Sequence, residues 1–292
     1  MATDVLQQTD QQDILHEEEE FDYSHKIEIR KLDSGAPMRW LSKGINDFKV
    51  NPLLSLSYGL IYVVLGLVLI FFTYHNPIYT YGLVTIFYLA GPVIAVGLYC
   101  MSRHIEAGVK PEFRKGCKAL CYNPVGIATF SIVIGMLIVL WTIVAAALFA
   151  VYFGGMTLPE SGHIIETMMA NKQIVPFAAL LLGVGFIFAV VSFSISVISI
   201  PLMTHRKADV VTAMVTSVRA VKKNPVVMLT WAFAIVALMA LGFAFAFVGV
   251  AVVLPIIGHA SWHAYRETVV DDRIMTVDDC DLPVFPFMKG KL

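Results

Sequence analysis

Charge is the first thing this sequence lacks. Only 15% of its 292 residues are charged, against about 25% in soluble domains. The shortage is local. No Asp, Glu, Lys or Arg occurs in residues 51–101, 123–159, 173–205 or 224–264. Apolar runs of about 18 residues or more read as membrane spans. A soluble domain is therefore excluded. A β-barrel is excluded too, because the runs are continuous and do not alternate. The formal net charge of −1 comes with no basic stripe, so no nucleic-acid partner is expected.

Cysteine is also scarce. The four, Cys100, Cys117, Cys121 and Cys280, form no CxxC pair. All fall on the side assigned below to the cytosol, where thiols stay reduced. Cys117 and Cys121 share a helix face but have no third ligand nearby, so packing is favoured over a metal. The first fifty residues lack a basic n-region, a short apolar h-region and a small-residue cleavage site. The first span is thus expected to target the chain and remain. Residues 1–36, with "HEEEEFD" at 16–22, are expected to form a disordered acidic cytosolic tail, and residues 269–292 a C-terminal one.

Catalytic signatures are missing as well. There is no Gly-rich phosphate loop, no paired catalytic carboxylate and no Ser-His-Asp arrangement. No enzyme activity and no cofactor are expected. The spans carry none of the ionisable residues that transporters and pumps use. The serines of "VSFSISVIS", at 192, 194, 196 and 199, project onto different helix faces and make no single polar track. Glu160, His163 and Glu166 sit in the one long outer loop, where such residues gather by chance.

What is present is a repeat. Three Asn-Pro pairs, Asn51-Pro52, Asn123-Pro124 and Asn224-Pro225, each open an apolar run. Upstream of each lies an apolar stripe at helical spacing. It comprises Leu41, Gly44, Ile45 and Phe48 in the first copy, Phe113, Gly116, Cys117 and Leu120 in the second, and Met214, Ser217, Val218 and Val221 in the third. Lysines and arginines flank each stripe. Such a helix is expected on the membrane surface, its cations reaching anionic head groups. Proline disfavours helix at the preceding residue. Asparagine is a good N-cap, and proline suits the first helical position. Each pair should therefore turn the chain into the bilayer.

Each apolar run then reads as a hairpin. Spans are expected at about 53–73 and 79–101, 125–153 and 175–203, and 226–241 and 244–265. A single long tilted helix is the competing reading for the last pair. The fold class is thus an all-α polytopic bundle of six transmembrane helices over 37–268, in three units at about 38–104, 110–206 and 209–266. Charge placement supports the count. Six basic residues precede the first span, five lie at 103–118, five at 206–223 and four after Tyr265, leaving Lys172 on the other side. The positive-inside rule then places both termini in the cytosol.

The last run ends in "GHASWHAYRE", residues 258–267. His259 and His263 share a helix face. His104 and His205 are expected near the same surface, so a histidine-based metal or haem site is one reading. The plainer reading is an interface. Trp40, Trp262 and Tyr265 would anchor at head-group depth, and Arg266 would snorkel to phosphate.

The string from Pro255 to Arg266 resembles the closing motif of a family of uncharacterised bacterial integral membrane proteins known only as a domain of unknown function. The lead-in "GAPMRWLSKGINDF" and the Asn-Pro starts resemble it too, so the likeness spans roughly residues 35–270. It implies a bacterial inner-membrane location and brings no activity, substrate or ligand. Members have been loosely labelled cytochrome oxidase subunit I-like. A haem-copper subunit, however, needs several histidines at mid-depth in its helices and many more spans. The function expected is a non-catalytic scaffold or accessory subunit of a membrane complex, respiratory complexes included, with a membrane-protein partner or a second copy of itself. The alternatives are a transporter or binding protein for a lipid or small apolar molecule, and the histidine site.

Overall fold

A computed structural model describes residues 27–75, 80–114, 116, 123–154, 171–206, 208–245 and 248–270. The chain divides into two compact units. One comprises residues up to Ser131 together with those from Ser194 onward, and the other runs Ile132–Phe193. The long helices are α1 (Ala36–Val50), α2 (Pro52–His75), α3 (Thr80–Glu106), α4 (Pro124–Phe153), α5 (Ile174–Ser196), α6 (Ser199–Arg206), α7 (Val210–Lys223), α8 (Pro225–Ala244) and α9 (Val250–Thr268). Long helices thus stand in all six places expected for spans. Among the described residues, four stretches are long and apolar enough to cross a membrane: Pro52–Phe72, Pro124–Phe153, Ile174–Arg206 and Pro225–Ala244. Residues 226–265 belong to two helices, one ending at Ala244 and the next starting at Val250, rather than to one long tilted rod.

Proline places several of the breaks. Pro52 and Pro225 sit at the start of their helices. Pro201 would clash with the carbonyl of Val197, four residues earlier. The chain leaves the helix at 197–198, between α5 and α6. There the Ile198 N–H donates to Ser217 Oγ at 3.2 Å instead of to a helical carbonyl. Pro255 lies inside α9 and deprives the Ala251 carbonyl of its usual donor. Gly59 of α2 packs onto that carbonyl so closely that a Cβ at 59 would stand 2.0 Å from the Ala251 oxygen. The helix pair α2–α9 is therefore built around a proline that frees a carbonyl and a glycine that approaches it.

In the first unit α9 is the central helix, packed on α1, α2, α3 and α8. α1 crosses it at Gly44, where a Cβ would meet the Ala260 nitrogen and the Ile256 oxygen at 2.7 Å. The buried face of α1 is Ala36, Pro37, Trp40, Gly44 and Asp47. That of α7 is Thr212, Ala213, Thr216, Ser217 and Ala220. Counted back from Asn51 and Asn224, Trp40 matches Ala213, Gly44 matches Ser217, and Asp47 matches Ala220. Both faces are turned slightly from the expected stripe, and Leu41, Ile45, Phe48, Met214, Val218 and Val221 lie half-buried at its edge. Small residues at the centre allow a closer approach than large apolar ones would. The apolar face of α1 is used against α9, which departs from the expectation of a helix resting on lipid. The counterpart before Asn123 lies mostly outside the described residues.

The expected tail ends earlier than residue 36. Residues 27–35 form an ordered strap. Ile29 pairs antiparallel with Val269, with Arg30 N donating to Thr268 O at 2.7 Å and Val270 N to Glu28 O at 3.0 Å. Ile27, Ile29 and Leu32 are buried while Glu28, Arg30 and Lys31 are exposed. This alternation is a strand signal that an average over the acidic segment conceals. The tail expectation for residues 1–26 lies outside the described residues, as does that for 271–292.

The second unit is an apolar pair of helical segments from α4 and α5. Phe177 packs against Phe149, Tyr152 and Phe153 at centroid distances of 6.2, 5.8 and 5.0 Å. Further along, Trp141 meets Phe188 at 5.6 Å and lies over Gly185.

Candidate functional site

The polar side chains of the first unit converge on the C-terminal half of α9, the "GHASWHAYRE" string. Each side chain of the string named below is met from another helix. His259 bonds Ser55 Oγ of α2 through Nε2 at 3.0 Å and Ser102 Oγ of α3 through Nδ1 at 2.8 Å. Both tautomers satisfy this arrangement, since a hydroxyl can donate or accept. His263 Nε2 donates to Asp47 Oδ2 of α1 at 2.9 Å. Trp262 Nε1 donates to Glu106 Oε2 of α3 at 2.9 Å, and Arg266 Nε to Glu106 Oε1 at 3.1 Å. Tyr265 OH bonds His205 Nδ1 of α6 at 2.7 Å. Glu267 accepts from Trp40 Nε1 at 2.8 Å and from the Arg39 guanidinium. Arg39 in turn grips Asp33 with two hydrogen bonds, of 2.8 and 2.5 Å. Asp33 is exposed, yet those bonds from Arg39, with help from the Gly35 N–H, lower its pKa to about 2.

This geometry corrects several expectations. Trp40, Trp262 and Tyr265 are not interfacial anchors, for each is at most 1% exposed and hydrogen-bonded to another helix. Arg266 Nε is bonded to Glu106. Rings of His205, Trp262 and Tyr265 pack on one another at 5.5–5.6 Å. The four histidines do not form one site. His104 Nδ1 turns back to its own helix, on the Cys100 carbonyl at 2.6 Å, while the other three have the separate partners just given. Among the described residues, no group of three or more His, Cys, Asp or Glu could hold a metal ion. Cys117, Cys121, Cys280 and the Glu160, His163, Glu166 loop lie outside them.

The Ser55–His259–Ser102 chain is the arrangement closest to catalytic chemistry. A serine–histidine pair activates a nucleophile when a third group orients the base and a substrate can approach. Here the orienting place on Nδ1 is held by a hydroxyl, and all three residues are 0% exposed. The arrangement can fasten three helices to one another.

The three asparagines have different roles. Asn123 caps as expected, its Oδ1 accepting from Gly126 N at 3.0 Å, and its Nδ2 also donates to Ala208 O at 3.1 Å. Asn51 is a stretched cap, 3.4 Å from Leu54 N. Asn224 makes no side-chain cap. Its amide is taken by the strap, accepting from Leu32 N at 2.9 Å and donating to Arg30 O at 3.0 Å. A cap that sequence did not point to is Asp209, which accepts from Thr212 N at 2.8 Å at the start of α7.

Asp47, Glu106, Ser55 and Ser102 were missed as partners because they are remote in sequence from the histidines. Two carried signals. Asp47 lies on the same face of α1 as Trp40 and Gly44, an acid where the helix is buried. Glu106 ends α3, where the helix dipole disfavours an acid, so it needed a partner from elsewhere.

Residues 79–205 match the family described as Predicted integral membrane protein (DUF2189). This chain is an integral membrane protein with several apolar helices. The matched stretch takes in α3 to α6 and ends before the Pro255–Arg266 string, so it neither contains nor tests that motif. No curated protein and no solved structure matches the chain.

Proposed function

We propose that the protein is a non-catalytic scaffold or accessory subunit of a complex in the bacterial inner membrane. The observation that carries this reading is how the "GHASWHAYRE" string is used. Its titratable side chains are bonded to neighbouring helices, where an enzyme or carrier would direct them into a cavity. The second unit adds support. Phe186, Ile187 and Leu182 are 62–73% exposed, on helices suited to meet lipid or another membrane protein. Six spans are the topology proposed, arranged as three related hairpins with both termini cytosolic. The matching buried positions of α1 and α7 favour the repeat.

The test is affinity purification of the full chain in mild detergent, with proteins in the eluate quantified by mass spectrometry. One reproducible partner near equal amount is the expected result. A lone protein in several mild detergents would overturn the accessory-subunit reading. Topology is tested separately with single cysteines in a cysteine-free background. Those at 155–170 should label from outside and those at 105–114 should not.

A further inference from the structure

We propose that the groove beside the start of α2 is a binding site for one anionic membrane phospholipid. One wall is α2 itself, through Leu53, Leu54, Ser57 and Ile61, and the other is the segment Pro111–Arg114 that follows α3. The second wall is held in place. Phe113 stacks on Tyr58 at 5.2 Å. Tyr58 is in turn locked between Gly97 and Gly116, where a Cβ would stand 2.2 and 2.1 Å from its ring and hydroxyl. These contacts tie the second wall to α2 and α3.

Its polarity changes along its length. At the top lie Asn51, Glu112 and Arg114, flanked in sequence by the exposed Lys49 and Lys110. Of the charged groups only Arg114 and Glu112 line the groove, and the adjoining exposed Lys49 and Lys110 tip the local balance to positive. Below are Leu53, Leu54, Ile61 and Phe113. Leu53 is 80% exposed and Ile61 and Phe113 about 40%. From Leu53 to Ile61 the helix rises about 12 Å, close to the ~15 Å of hydrocarbon in one leaflet. The groove runs along a membrane-crossing helix, so a lipid reaches it sideways from the bilayer. A charged head on Arg114 and an acyl chain on Leu53–Ile61 satisfy both ends. A water-soluble anion would leave the apolar part uncovered, and a zwitterionic lipid would set its own cation among the basic side chains.

The test uses the full chain in detergent, with thermal unfolding followed as dioctanoyl phosphatidylglycerol, dioctanoyl phosphatidylcholine or inorganic phosphate is added. Phosphatidylglycerol should raise the melting temperature saturably, and the other two should not. Arg114→Gln, an exposed change, should weaken the response about tenfold, the scale of one charge-assisted hydrogen bond. Ser57→Trp fills the groove and should abolish the response while leaving lipid-free melting near the parent's. Equal responses to both lipids, a response to phosphate alone, or a phosphatidylglycerol response unchanged in Arg114→Gln would overturn the site. If Ser57→Trp does not fold, the Arg114→Gln comparison decides.

Discussion

The two units of this protein use opposite means of holding helices together. In the first, α9 is fastened by hydrogen bonds from α1, α2, α3 and α6, and by glycines that let backbones touch. In the second, aromatic packing around Phe177 and Trp141 does the work. The apolar window of Pro124–Phe153 is 0% buried and that of Ile174–Arg206 is 6%, against 28% and 22% for Pro52–Phe72 and Pro225–Ala244. Lipid is as apolar as leucine, so greasy surface alone gives two membrane helices no reason to associate. Specificity has to come from close packing and polar bonds. The first unit has both, and the second leaves its apolar surface available.

The sharpest contrast is a glycine replaced by leucine in each unit. Gly59→Leu would drive a side chain into the Ala251 carbonyl and should cost about 3 kcal/mol or more, or prevent folding. At Gly183 an added Cβ meets nothing within 4 Å, so Gly183→Leu should stay within about 0.5 kcal/mol. Thermal unfolding in detergent reads both, and equal losses would erase the distinction between the units. Next comes Asn224→Ala, which leaves Leu32 N–H and Arg30 C=O without their partner and should cost about 1–3 kcal/mol. The stretched Asn51 cap should cost less, about 0.5 kcal/mol, with Asn123→Ala between. The reverse order would show that capping, not the strap, sets the value of these asparagines. Phe177→Ala in the second unit should cost only about 1–2 kcal/mol, because lipid replaces much of what the ring loses and its ring contacts are the main deficit.

The smallest effect is one of pH. The folded pKa of Asp33 is lowered to about 2 from 3.8. Its contribution is therefore complete above about pH 4 and is lost as pH falls toward 2. The Asp33–Arg39 pair is exposed to solvent, so the change should be slight and should shrink in high salt. Asp33→Asn should remove it from the acid limb of the melting curve.

The sequence displayed some of this and hid the rest for physical reasons. The long helices were legible because lipid demands uninterrupted apolar runs and proline marks their edges. A break between α8 and α9 was legible too, expected between 241 and 244 and found between Ala244 and Val250. The strap was hidden because alternation over Ile27, Ile29 and Leu32 is too short to stand out among charges. The string at 258–267 was legible as a feature and misread as a surface. Tryptophan, tyrosine and arginine at a helix end look alike whether they meet lipid or another helix. Only the positions of Asp47 and Glu106 in space separate the two, and those lie in other helices.

The account rests on α9 being a packing centre, and the Asp47–His263 contact tests that most directly. A double-mutant cycle with Asp47→Asn and His263→Gln, read by thermal unfolding in detergent, should give a coupling of about 1–3 kcal/mol. Losses that add to within about 0.5 kcal/mol would mean the two side chains do not support each other, and the packing role of the string would be contradicted.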